Sequence, residues 1–475
     1  MVADQPISPR HHQNLVTDFH RPHYHFLPPT HWMNDPNGVI QWQGTYHLFY
    51  QHNPDGPLWG NMHWGHASSL DLIHWADLPI AIAPTPNGYD AAGIFSGCAV
   101  NHNGTPTIFY TGTQGEKHDI QVQCMATSSD NLLTWEKYPG NPVISNVPAE
   151  SGQTADFRDP FVWQEADAWY MVVGSRIKDV GGAVFLYRSH NLIDWDYLHP
   201  LLVGDIRRNG MIWECPNFFK LGENWVLIIS SHFGSMTGDV IYFVGTYVDH
   251  HFTPLHEGIL EYGRLYAPLT TLDEQARRLL FGWVRESRSN EAQQAAGWSG
   301  VQSIPRVLAL DRQYRLLMTP IAELEMLRGH HHHEGPMDVT DTIPLAVTGL
   351  ALEIAAEFMP QPDGSCGFSL ACAPNNAERI DIVYEADQQR LIVRTISADD
   401  TVLHIDSVPH PLADDESLQL RILLDGSVVE IIANQRTSIT GRVYSSDVMS
   451  NGVRLLGAKT HLHSLDIWMM SSIWQ

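Results

Sequence analysis

Five times along the chain an apolar run rich in aromatic and β-branched residues interrupts a polar background: TYHLFYQH from Thr45, PTIFYTG from Pro106, WYMVVGS from Trp169, WVLIISS from Trp225 and LLFGWV from Leu279. Their starts lie 61, 63, 56 and 54 residues apart. Each run has the length and composition of a strand and is bounded by turn residues such as QGT, HNGT and GEN. A second phrase keeps a similar interval. SSLDLIHWADLP, SSDNLLTWEKYP and RSHNLIDWDYLHP place Trp75, Trp135 and Trp195 60 residues apart. A repeat of this size without helical periodicity is one all-β unit. Closing such units in a ring leaves only short, protected edges. Residues 21–320 therefore predict a five-bladed β-propeller. β-Solenoid repeats, the competing reading, are shorter.

Beyond Thr319 the pattern changes. TPIAELEMLRGHHHHEGPM predicts a short helix running into a polar linker over residues 321–338. ALEIAAEF, CGFSLAC, RIDIVYE, RLIVRT, LQLRILLD, SVVEIIAN and GVRLLGA then follow as short alternating strands, which predicts a β-sandwich over 339–475. Residues 1–20, polar and His-rich, predict a loosely tied arm. The fold class is all-β: a five-bladed propeller followed by a sandwich.

Composition narrows what such a protein does. With 28 Lys+Arg against 53 Asp+Glu the net charge is -25. That disfavours nucleic acid and anionic membranes as partners and suits a small neutral ligand. No run approaches 18 apolar residues, and no apolar leader opens the chain. Five cysteines (98, 124, 215, 366, 372), odd in number and without C-x-x-C spacing, predict free thiols and a cytoplasmic setting. Oligomeric state is not encoded in any of these features. The run His330–His333 predicts a solvated loop, since no Cys or His partner stands at metal-ligand spacing.

Candidate chemistry lies in three acidic residues that share one context. Asp35-Pro36 precedes the first aromatic run, Asp159-Pro160 the third and Glu214-Cys215-Pro216 the fourth. Equivalent strands of a propeller line its central channel, so 124 and 55 residues of separation collapse into one funnel. Clustered carboxylates repel and push their pKa values apart. One can then hold a proton to donate while another stays ionised, the division of labour of glycoside hydrolysis. A hard cation is the rival occupant, but it wants more oxygen ligands, and Arg158 opposes it.

WMNDPNG, FRDP and WECP, in this order, with SG at 96–97 and GWSGVQSIPR near the end of the propeller, resemble glycoside hydrolase family 32, the invertases and fructan hydrolases. The resemblance covers nearly the whole chain and implies the same propeller and sandwich. It implies Asp35 as nucleophile, Glu214 as general acid/base and Asp159 as transition-state stabiliser. Around the fructosyl unit it implies Asn34, Gln51, Trp59, Phe95, Ser96, Arg158 and Trp283, with no metal and no cofactor. Three departures stand out: Asn217 where the phrase usually reads W-E-C-P-D, Cys98 where it reads S-G-S, and a shortened phrase at 261–267. Cys98 and the short phrase are expected to reshape the rim. Asn217 is expected to leave the general acid less elevated than an aspartate would, unless it only caps a turn.

The resulting expectation is a retaining, exo-acting β-fructofuranosidase that releases fructose from sucrose and short fructo-oligosaccharides. Exo-inulinase, levanase and sucrose-6-phosphate hydrolase are the alternatives within the family. A non-catalytic sugar-binding propeller is the alternative outside it.

Overall fold

The computed structural model describes residues 18–234, 236–399 and 401–474. The N-terminal arm expected over 1–20 lies almost wholly outside these. The chain divides into two compact units. One holds residues 26–260 and 265–321, the other residues 18–25, 261–264 and 322–474. No helix among the described residues is long and apolar enough to cross a membrane.

The first unit is a five-bladed propeller. Its sheets begin at His31–Trp42, Gly93–His102, Arg158–Glu165, Ile212–Leu221 and Leu265–Leu272. These five first strands neighbour one another in sequence order, and the last meets the first, so they form the ring around the axis. The aromatic runs are the second strands, Thr45–Asn53 among them. They read as continuous apolar stretches because both faces pack on neighbouring blades. Phe49, Trp64, Ile94, Ile108 and Tyr110 belong to one such core between the first two blades. The 60-residue phrases are the turns that lead into or towards each outer strand. Leu72, Leu132 and Leu192, each three residues before its tryptophan, have φ of 66°, 64° and 66°. Side-chain oxygens of Asp71, Asp130 and Asn191 hold these turns by accepting amide hydrogens from within them. The ring is closed by Trp298–Ser299 pairing in parallel with His31 and Trp32.

Every first strand is interrupted at the same level. Its pairing with the second strand shifts register between Met33 and Pro36, Phe95 and Gly97, Arg158 and Phe161, Glu214 and Asn217, and Tyr266 and Leu269. Proline cannot donate to the ladder, and a bulge re-aims the side chains beside it. Pro36, Pro160, Pro216 and Pro268 occupy four of these places and Gly97 the fifth. At Gly97 a Cβ would collide with the Phe109 carbonyl.

The second unit is a two-layered β-sandwich whose layers form one hydrogen-bonded ladder. Ala351–Cys372 pairs through its first half with Leu418–Asp425 and through its second half with Arg379–Glu385. Gly452–Met470 follows it through both layers. The core between them includes Phe358, Phe368, Ile382, Ile422 and Leu455. The stretch 321–338 departs from the expected helix and linker. A 3-10 helix, Ala322–Leu327, leads directly into a strand, Arg328–Glu334, that pairs with Gly452–Met470. The histidine run is thus strand, not loop, because Leu465–Trp468 offers it a ladder partner.

His25 anchors this unit. It is fully buried, with Nδ1 2.8 Å from Asp425 Oδ2 and Nε2 3.0 Å from Glu430 Oε1. The Asp425 carboxylate also accepts the amides of His23, Tyr24 and His25. Burial favours the neutral ring, but the two carboxylates outweigh it and raise the imidazole from 6.5 to about 9. A value raised in the folded state stabilises fully below pH 6.5, and that contribution is lost as the pH rises to about 9. His25→Gln should cost about 3–5 kcal/mol near pH 6, the scale for breaking a buried pair. It should also flatten the decline in melting temperature between pH 6.5 and 9, measured by calorimetry.

Candidate active site

The bulges carry the functional residues. Asp35, Ser96, Asp159, Glu214 and Tyr266 all stand at the interrupted level of their strands. Asp159, Cys215 and Ala267, each preceding a proline, have φ of 64°, 47° and 47°. Non-glycine residues adopt this region at a cost, and the region before proline is more restricted still, so the ring stores strain where the chemistry sits. All ten residues singled out from sequence, Asn34, Asp35, Gln51, Trp59, Phe95, Ser96, Arg158, Asp159, Glu214 and Trp283, line one cavity of about 400 Å³. Below it the prolines, Gly97 and Leu269 line a constriction with about 10 Å³ of room for water-sized centres, on the scale of one water molecule, so the cavity is a pocket with a floor.

Asp35 is oriented from two sides. Ser96 Oγ donates to Oδ2 at 2.6 Å and Asn34 Nδ2 donates to Oδ1 at 3.0 Å. The Asn34 amide is itself fixed by Trp32 Nε1, which donates to its oxygen at 2.6 Å. Burial raises Asp35 to about 6 against these donors. Asp159 accepts the Cys215 amide at 2.9 Å. Burial raises it to about 7, with Arg158 opposing and the other two carboxylates adding to the rise. The Cys215 thiol, 3.7 Å from Asp35 Oδ2 and 3.5 Å from Asp159 Oδ2, lies against both.

Glu214 behaves differently. Burial would raise it, but Arg158 donates to Oε1 from Nη2 at 2.7 Å and Nε at 3.2 Å. The Tyr266 hydroxyl lies 2.6 Å from Oε2 and 2.9 Å from Ser231 O, and its proton goes to the shorter, charged acceptor. With His232 adding positive charge nearby, Glu214 sits below its ordinary value. Glu214 is thus separated from the two aspartates, mainly by burial and by Arg158, and the protons favour the aspartates, opposite to the division of roles expected from the sequence. Arg158 is braced by Gln121 and Asp156, each 3.1 Å from Nη1.

The pocket also presents donors without protein acceptors among the described residues. Gln51 Nε2 and Trp283 Nε1 are two of them, and His232 Nδ1, donor or acceptor by tautomer, is likewise unpartnered. Trp59, nearly half exposed, meets Phe95 and His118 edge-on at 6.1 and 5.3 Å, giving the mouth an aromatic side. Aromatic faces and free donors suit a polyhydroxylated ring. Sequence reading missed Tyr266, Gln121 and Asp156. Tyr266-Ala267-Pro268 repeats the residue-residue-proline signature of Glu214-Cys215-Pro216, which was the available signal.

Two departures resolve away from the rim. Asn217 is fully buried. Its Nδ2 donates to Pro268 O at 2.8 Å and Cys215 O at 3.0 Å, and its Oδ1 accepts the Thr270 amide at 2.7 Å. It joins the fourth first strand to the fifth, with its side chain committed to that joint. Cys98, also buried, accepts the Val162 amide at 3.2 Å and joins the second to the third. The expected effect of Cys98 on the rim is therefore corrected. The short phrase divides: Tyr262 and Arg264 donate their amides to Ser438 O and Thr440 O within the second unit, while 265–267 begin the fifth first strand.

Residues 25–320 match the model described as the glycosyl hydrolases family 32 N-terminal domain, and residues 323–469 match the family 32 C-terminal model. The chain belongs to glycoside hydrolase family 32. A sucrose-6-phosphate hydrolase of Zymomonas mobilis is 36% identical, over 91% of this chain and 88% of that protein. A levanase of Bacillus subtilis is 33% identical, over 96% of this chain and 71% of that protein. Among solved structures, fructan 1-exohydrolase IIa from Cichorium intybus superposes with a TM-score of 0.84 at 26% identity, over 96% of this chain and 98% of that one. The family 32 chain described here is accordingly a glycoside hydrolase acting on sucrose or fructans.

Two substitutions test the site. Ser96→Ala removes the shortest donor to Asp35 and should raise its pKa. Because Asp35 lies above Glu214, the basic limb of kcat/KM should move to higher pH, while the acid limb stays in place. Asn217→Asp strips the donor from Pro268 O and Cys215 O and should lower stability by about 1–3 kcal/mol, read from the urea midpoint at unchanged slope.

Proposed function

We propose that this protein is a retaining, exo-acting β-fructofuranosidase that frees terminal fructose from sucrose and short fructo-oligosaccharides. The observation that carries the reading is the floored pocket: a chain end can enter it, and a chain cannot thread through it. Asp35, held by Ser96 and Asn34, attacks the anomeric carbon. Glu214 protonates the departing oxygen and then activates water to release the fructosyl ester. Asp159 takes the hydroxyls beside the reacting carbon.

Catalysis needs Asp35 ionised and Glu214 protonated, the reverse of what the surrounding groups favour. The departing sugar supports the change by covering the mouth. It excludes water from Glu214 and so adds to the burial that raises a carboxyl. Because Asp35 titrates above Glu214 in the free enzyme, the active form is the minor tautomer, and the basic limb of kcat/KM should fall near pH 6, at the value of Asp35.

Sucrose 6-phosphate is the second reading, favoured by Lys117 at the exposed mouth, whose ammonium makes no described hydrogen bond or ion pair. The free thiols suit a reducing compartment, the cytoplasm.

Asp35→Asn and Glu214→Gln should each fold with near-wild-type melting and lose at least about 10²-fold in turnover. Proton NMR of the fresh hydrolysate should show the β-anomer of fructose first. An α-anomer first would reject retention. A panel of sucrose, kestose, inulin, levan and sucrose 6-phosphate should rank the neutral short sugars first. A Lys117→Met variant that loses only the phosphorylated substrate would favour the second reading.

A further inference from the structure

The histidine run leaves a cluster in the second unit that fructosyl transfer does not use. His331 and His333 alternate along Arg328–Glu334, so their side chains share one face of the strand. Across the ladder His331 pairs with Trp468 and His333 with Asp466. His331 Nε2 lies 2.8 Å from Asp466 Oδ1, and His333 Nδ1 lies 2.9 Å from the same oxygen. All three ligand atoms fall within 4.8 Å of one another.

We propose that His331, His333 and Asp466 form a binding site for a zinc-class divalent cation. Three features carry it. The donor atoms converge: two imidazole nitrogens from one strand meet one carboxylate oxygen from the next, close enough for a single ion to touch all three at about 2.0–2.2 Å with a small adjustment. The cluster is oriented before any ion arrives. The His331 ring stacks on Trp468 at 5.0 Å and 8°, and both strands are fixed by the ladder. The donor chemistry is selective. Two neutral imidazoles and one carboxylate suit zinc, nickel or copper, whereas calcium and magnesium want oxygen ligands. The site contributes one negative charge to a dication and leaves coordination positions open to water, since both histidines are exposed.

A nearby cation does not spoil the site. The Arg328 guanidinium packs over Trp468 at 4.0 Å, but it is paired with Glu353 at 2.6 Å and Glu325 at 3.1 Å. The bland alternative is a pair of imidazole hydrogen bonds to one carboxylate. It accounts for the distances equally well and predicts no metal affinity.

The experiment is calorimetric titration of the chelator-stripped full chain with Zn²⁺, repeated with Ca²⁺. The chain has 27 histidines, so the comparison with variants is decisive. One site per chain should bind Zn²⁺ and ignore Ca²⁺, and its occupation should raise the melting temperature. His333→Gln and Asp466→Asn should each weaken it by at least about tenfold, the scale seen when even an outer support of a metal site is lost. Both lie outside the pocket, so sucrose hydrolysis by the stripped variants should match the stripped parent. Failure to find a single saturable Zn²⁺ site would overturn the proposal. So would a site that survives in the His331→Gln/His333→Gln double variant, or one that binds Ca²⁺ equally well.

Discussion

The guanidinium of Arg158 and the carboxylate of Glu214 make the contact on which the propeller's chemistry depends. Three carboxylates in one sheltered cavity repel one another and lose their hydration, and both effects favour the protonated forms. Arg158 compensates one of the three directly and reaches the others through the field it creates. It rises from the third blade, is braced by Gln121 of the second and meets Glu214 of the fourth. The same fork therefore ties three blades together at the level of the bulges. The uneven response of the carboxylates follows from this placement. Glu214 is touched and held down, while Asp159, buried, and Asp35, partly buried, lack a direct cationic partner and rise.

The strained level of the ring is the complementary constraint. Five strands converge on an axis, and at the closest approach each gives up regular pairing. Proline suits that place because its missing N–H is not needed there. Asn37 and Asn217 then act alike. Each follows a proline, donates to the carbonyl two residues back, and accepts an amide from the next first strand. Cys98 does the accepting at the following joint. Residues that differ from the usual family phrases thus sit in the joinery of the ring, where an acceptor is required and its chemical identity has some freedom.

Much of this was legible beforehand for identifiable reasons. The blade count followed from second strands that are apolar on both faces, which makes them continuous runs that stand out. The position of the acids followed from their shared spacing ahead of those runs. Less accessible was anything that depends on direction. The sequence around Asn217 could not show whether its amide faced Glu214 or the Pro268 carbonyl. The histidine run looked like a loop because its composition is polar, and only the neighbouring Leu465–Trp468 segment, more than 130 residues away in the chain, makes it a strand. Tyr266 was passed over because it carries no charge, although its proline repeats the pattern of the acids.

The floor beneath the pocket has a consequence for turnover. On the exo-acting reading proposed above, a substrate enters fructosyl end first, and the departing portion lies above the fructosyl unit in the mouth of the pocket. On that reading products leave in a fixed order, remainder before fructose, and a long fructan would let go after every cut. Such an enzyme trims many chains by one unit each instead of consuming one chain to its end. Free fructose, the last product to depart, is the one that competes with the next substrate for the pocket.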